Sequence, residues 1–204
     1  MNKRETIIES AIKLFSNKGF EGTSVREIAA DAGANVALIN YYFGSKEKLF
    51  ESVVEYRASV LKGLFSELFN NKELTAIEKL DIIIDKTIER KFSDSQFHHL
   101  LHRELSLGNR PQCRESISDI LMRNIIPVKK IIKEGIKDGE FNKVDVELTL
   151  TTIIGTIHYL LTSDTMCRKI LGKKEGFSAF QNKHLKQRLS EHTKKLMRSY
   201  LLKK

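Results

Sequence analysis

Proline is nearly absent from this chain, two in 204 residues, beside 11 glycines. Little therefore interrupts long helices. Long apolar runs are missing as well. The longest, 153–161, is interrupted by Gly155, Thr156 and His158, and a membrane span needs about 20 apolar residues. The opening Met1-Asn2-Lys3-Arg4-Glu5 leads into an amphipathic pattern, not a secretory signal. Cys113 and Cys167 stand alone, without metal or redox spacing. A reducing cytoplasm is the simplest setting for them. No phosphate-cradling glycine loop, nucleophile elbow or carboxylate pair in motif context occurs, so catalysis is not the expected role. No cofactor is expected either.

One cluster looks enzyme-like. His98 and His102 are four apart and can share a helix face, as metal ligands do. His99, however, stands where a zinc-protease motif carries glutamate, and no third ligand is identifiable. No metal site is expected.

At 41% hydrophobic and 30% charged, the chain can bury an ordinary core. Its net charge of +9 suggests an anionic partner, but the location qualifies that. Residues 1–50 carry seven Lys/Arg against six Asp/Glu. Residues 51–163 carry 16 against 17, and residues 164–204 carry 12 against three. The excess sits at the carboxy terminus. It reads first as a solvated helix face and second as an additional anionic contact.

Apolar spacing is helical throughout, with no strand pattern and no repeat. Ile7, Ile8, Ala11, Leu14 and Phe15 mark a helix over 4–18. Ser24 and Glu27 have capping-box spacing, so a second helix begins at Val25. Gly33 ends it, and Asn35 can cap a third over 36–42. Ser45 can cap a fourth over 46–69, roughly 36 Å long if unbroken. Further helices are expected over 75–91, 97–105, 117–136 (with a kink at Pro127), 145–161 and 179–202. The expectation is thus an all-α protein of about nine helices. It has a helix-turn-helix reader over 1–48 and a helical effector-binding and dimerisation domain over 49–204.

Helix, short glycine turn, helix is the layout whose second helix enters the major groove of DNA. The run Ala32-Gly33 through Tyr42-Phe43-Gly44-Ser45-Lys46-Glu47-Lys48-Leu49 resembles the TetR family of bacterial transcriptional regulators. So does the Gly19-Phe20-Glu21-Gly22-Thr23-Ser24 approach. The resemblance covers about residues 5–50; beyond them only the architecture agrees.

On the third helix Ile39 and Phe43 should face inward. Val36, Ala37, Asn40 and Tyr41 are left outward, with Leu38 at the edge. Asn40 can pair with a base edge, adenine best, and the apolar residues suit a thymine methyl. Tyr41 and Tyr42 can reach phosphate or sugar. Lys46 can add charge to a phosphate. Thr23, Ser24 and Arg26 can clamp phosphate on the other side, with Arg26 within reach of a base. The resemblance implies the same positions. Family members often carry a small hydroxyl residue in place of Leu38 and tyrosine in place of Asn40, which bears on the target sequence.

The remaining residues need a role, and the resemblance implies effector binding and dimerisation. Two copies would read half-sites about 34–36 Å apart, one helical turn. The last two long helices are the candidates for a homodimer interface, although ordinary core packing would give the same stripes. Phe65, Phe69, Phe97, Leu101, Met122, His158 and Tyr159 are candidates for a pocket, suited to a hydrophobic or amphipathic small molecule. The expected function is a dimeric repressor on palindromic double-stranded DNA, released when an effector shifts the helix from Lys46. An activator, or an architectural DNA-binding protein without effector, remains the alternative.

Overall fold

Local capping chemistry sets most helix starts. The computed structural model describes residues 2–107 and 110–203, with Leu107 as backbone only. Among these residues the helices are α1 (Lys3–Lys18), α2 (Val25–Asp31), α3 (Val36–Phe43), α4 (Lys46–Asn70), α5 (Ala76–Ser93), α6 (Ser95–Leu107), α7 (Pro111–Lys137), α8 (Val146–Thr162), α9 (Asp164–Ile170) and α10 (Lys183–Leu201). The described residues form no strand, only an antiparallel bridge between Phe141 and Leu202.

Asn2, Ser24 and Thr75 each form a capping box, with Glu5, Glu27 and Glu78 respectively. Each cap contributes about 1 kcal/mol. Among the described residues ten helices form, where about nine were expected. The additional one, α9, is seven residues long and capped by Ser163. Only Cys167 on it is buried, so no apolar period announced it. Pro111 occupies the first position of α7, where its missing N–H costs nothing. That helix therefore starts earlier than its apolar stripe. It also runs on through Pro127. Between the helices expected over 97–105 and 117–136, Gly108 and Asn109 lie outside the described residues. The last helix starts at Lys183, capped by Asn182, not near residue 179.

The chain divides into two compact units. The first comprises Met1–Leu64 and Gln96–Asn124. Its core joins Ile7, Ile8 and Phe15 of α1, Ile28 of α2, Ile39 of α3 and Phe50 and Val53 of α4 to Phe97, Leu100 and Ile117. The helices α6 and the start of α7 thus complete the core of this unit, which extends beyond the 1–48 stretch expected to read DNA. Phe15, Phe20 and Phe50 meet at its centre. Phe15 and Phe20 stack at 5.5 Å, and Phe50 meets them edge-on at 5.3 and 5.4 Å. Such ring pairs add about 0.5–1.5 kcal/mol each beyond area burial.

The second unit comprises Phe65–Ser95 and Ile125–Lys204. Its α5 buries Leu80, Ile84 and Ile88, and α10 buries Leu185, Leu189, Met197 and Leu201. Polar contacts fix the register of the pair: Arg198 Nε donates to Asp81 at 2.9 Å, and Lys194 Nζ to Asp85 at 2.8 Å. The Glu140 carboxylate accepts from the backbone N–H groups of Ala76 and Ile77 at 2.7 and 2.9 Å, adding an anion at the N-terminus of α5. Glycine is required at 135, where any Cβ would run into the Phe141 ring.

Candidate nucleic-acid interface

The outward face of α3 follows from what its inward face buries. Ile39 and Phe43 are buried and four apart. That leaves Ala37, Asn40, Tyr41 and Tyr42 exposed, and Val36 and Leu38 half-buried against the core. Tyr41 is 81% exposed, an extreme value for a large aromatic. Its ring lies 5.4 Å from that of Tyr42. Asn35 Oδ1 accepts from the Leu38 N–H at 2.8 Å and fixes where α3 starts. Ser45 caps α4 in the same way, accepting from the Lys48 N–H at 3.1 Å.

The turn between α2 and α3 is held from outside. Gly33 takes φ 56°, a left-handed conformation that favours glycine. Lys3 Nζ donates to the carbonyls of Ala32 and Gly33 at 3.2 and 2.8 Å. A cation there also complements the negative end of α2. Two ion pairs also fasten α2 to α1, Lys13–Asp31 and Lys18–Glu27, both at 2.6 Å. The Lys18 ammonium and the Ser24 N–H and hydroxyl hold Glu27 well below the usual carboxylate range, at about 2. Lys13 lowers Asp31 likewise.

The residues expected to clamp phosphate separate into two kinds. Ser24 and Arg26 are exposed at the start of α2. Lys46 is half-buried, its ammonium 4.3 Å from the centre of the Phe20 ring. Thr23 differs from the expectation. It is buried, and its hydroxyl donates to the carbonyls of Gly19 and Leu14 at 2.8 and 3.1 Å. Thr23 therefore ties the α1–α2 loop and has no hydroxyl to spare for a phosphate.

A contact network invisible in the sequence lies behind this face. Arg110 pairs with Glu21, 89 residues earlier, and with Glu104. Only the separation of these residues along the chain hid them; no local pattern marks such a contact.

The residues expected to line a pocket do not fall in one unit. Phe97, Leu101 and Met122 belong to the first and Phe65, Phe69, His158 and Tyr159 to the second. Phe65 and Phe97 are buried, whereas Met122 and Tyr159 are exposed. In the second unit Lys130 Nζ sits 4.7 Å over the Phe69 ring. Among the described residues no group of three or more His, Cys, Asp or Glu side chains could hold a metal ion. Nor is any helix long and apolar enough to cross a membrane.

A short helix with buried apolar anchors, a glycine turn before it and an exposed polar-aromatic face define a helix-turn-helix DNA reader. Comparison with known proteins agrees. The family pattern described as bacterial regulatory proteins, tetR family, matches residues 7–53. A second, described as YsiA-like protein, C-terminal region, matches residues 60–176. The chain belongs to the TetR family of bacterial transcriptional regulators. It is 35% identical over 142 residues to the protein named Probable HTH-type transcriptional regulator YttP of Bacillus subtilis (strain 168), covering 69% of this chain and 68% of that one. It is 29% identical over 161 residues to the fatty acid metabolism regulator protein of the same organism, covering 78% and 82%. Its fold is similar to that of the transcriptional regulator FadR from Bacillus subtilis, solved in complex with stearoyl-CoA. The TM-score is 0.75 at 25% identity, over 93% of this chain and 96% of that one.

Proposed function

We propose that this protein is a cytoplasmic, dimeric repressor that reads a palindromic operator through α3 and releases it on binding an amphipathic acyl thioester. The carrying observation is the exposed face of α3, with Asn40, Tyr41 and Tyr42 outward while Ile39 and Phe43 are buried. Asn40 reads a base edge, and Val36, Ala37 and Leu38 offer apolar contact. Ser24, Arg26, Tyr41, Tyr42 and Lys46 hold phosphate and sugar. In functional terms residues 1–48 read DNA, and residues 49–204 sense and pair.

A second copy is the occupant that suits the outer side of α8. Leu148, Gly155 and Tyr159 lie exposed along it, and Leu196 and Tyr200 are exposed on α10. Thr151 and Thr152 direct their hydroxyls back to the carbonyls of Glu147 and Leu148 at 2.9 and 2.8 Å. Their methyl groups are left to the surface, so the stripe is apolar where its composition looks polar. Gly155 leaves room, with nothing within 4 Å of where a Cβ would stand. This supports close packing of one α8 on another.

The effector class rests on the similarity to the fatty acid metabolism regulator and to FadR. Chemistry in the second unit suits both halves of such a ligand. Phe69 is half-buried and Phe65 buried beneath the surface, and an open groove of about 270 Å³ on α7 is lined by Ile126, Lys129, Lys130, Lys133, Glu134 and Lys137. Its ammonium groups suit phosphates. The test is selection of bound duplexes from a random pool, followed by titration of the recovered site with stearoyl-CoA, CoA and stearate. A palindrome released by the thioester alone is expected. Selection of no sequence removes the DNA reading, and indifference to all three compounds removes the effector class.

A further inference from the structure

Arg110 stands immediately before α7, its carbonyl accepting from the Arg114 N–H at 3.0 Å. Its guanidinium reaches two carboxylates, Nη1 to Glu21 and Nη2 to Glu104. Its carbon lies 3.8 Å from the centre of the Phe20 ring. Lys46 Nζ lies 4.3 Å from that same centre. One aromatic ring of the reader core thus carries two cations, a contact that the negative face of a ring favours. One of the two is the lysine assigned to phosphate. All five residues belong to the first unit.

The charges are unequal in their surroundings. Glu104 is buried, whereas the Glu21 side chain is 80% exposed. Glu21 lies three residues before Ser24, the cap of α2. A bare carboxylate there would repel the phosphate that Ser24 and Arg26 are placed to hold. Arg110 offsets it. Arg110 is held between two carboxylates, of which Glu104 also pairs with Arg103 at 3.7 Å, so among the described residues Lys46 is the positive group at the ring that no carboxylate offsets.

We propose that Arg110 is a positioning residue for DNA binding: seated on Phe20 between Glu21 and Glu104, it neutralises the carboxylate beside the opening of α2 and leaves Lys46 as the free charge there. This rests on the DNA reading proposed above. It makes the segment between α6 and α7 a determinant of affinity although Arg110 itself contacts no phosphate.

The experiment uses the full chain and the duplex recovered from the random pool, with binding measured across a range of salt. Arg110→Ala is expected to weaken binding about three- to tenfold at low salt, the gap narrowing as salt rises. Glu21→Gln alone changes binding by about twofold at most and, added to Arg110→Ala, restores most of the loss. Glu104→Gln in the Arg110→Ala background restores thermal stability but not affinity, which separates charge at the reader from packing in the core. Arg110→Lys keeps the charge without the two-pronged geometry and falls between. If Arg110→Ala binds as the unmodified chain does, or if Glu21→Gln recovers nothing, the proposal is overturned. If the unmodified chain selects no sequence, the DNA reading itself fails.

Discussion

Helices α3 and α8 both leave large side chains in solvent, and they differ in the balance of polar and aliphatic groups. On α3 the exposed groups are Asn40, Tyr41 and Tyr42, each with a hydrogen-bonding end. On α8 they are Leu148, Ile154 and Tyr159, with Gly155 among them and two threonines whose hydroxyls are turned back onto the helix. Exposure alone says little about function. The chemistry of the exposed stripe is what distinguishes the surface proposed for DNA from the one proposed for a second copy.

The sharpest way to break this comparison is Gly155→Glu. A charge in a packed helix seam costs about 3 kcal/mol or more, so the dimer should dissociate at concentrations where the unmodified chain stays paired. The isolated protomer should gain about 0.5–1 kcal/mol, because glycine is a poor helix former. Sedimentation equilibrium and thermal unfolding read the two effects separately. An unchanged mass would assign α8 to something other than a second copy.

On the α3 side the largest expected effect is Asn40→Ala. It should cost about 1–3 kcal/mol on the preferred base and little on its replacements, read by competition among single-base variants. Lys46→Ala should weaken every duplex alike and lower the slope of log K against log salt by about 1. Equal loss on all sequences for both substitutions would merge the base-reading and phosphate-holding roles proposed for them.

The smallest effect concerns the support of α2. Glu27 is held from the ordinary 4.5 down to about 2 by Lys18 and Ser24. A carboxylate lowered on folding stabilises the fold fully above about 4.5, and that contribution is lost as pH falls through about 2. Glu27→Gln should therefore flatten the acid limb of the pH–stability curve, measured by circular dichroism, with a small change near neutrality because the group is exposed.

Much of the reader was legible in the chain because its determinants are local. The Ser24–Glu27 box, the Asn35 cap and the glycine at 33 lie within a few residues of the helix ends they set. Ile39 and Phe43 are one helical turn apart. Where determinants are not local, the chain alone does not show them. Thr23 looked like a phosphate ligand but is consumed by the carbonyls of Gly19 and Leu14. A seven-residue helix with one buried residue, α9, carried too little periodicity to show. The pocket candidates were chosen by residue type; Phe97 falls in the first unit and Phe65 in the second.

The sequence by itself determined that the chain is helical, where most of those helices begin, and which face of α3 turns outward. Caps and apolar spacing act over three or four residues, so they can be read in order. Only the tertiary structure decided that α6 and the start of α7 complete the core of the first unit, that Thr23 is buried, and that Arg110 meets Glu21 and Glu104 over the Phe20 ring. Those outcomes depend on which residues far apart in the chain come into contact, and burial and charge pairing are properties of such contacts, not of any stretch read alone.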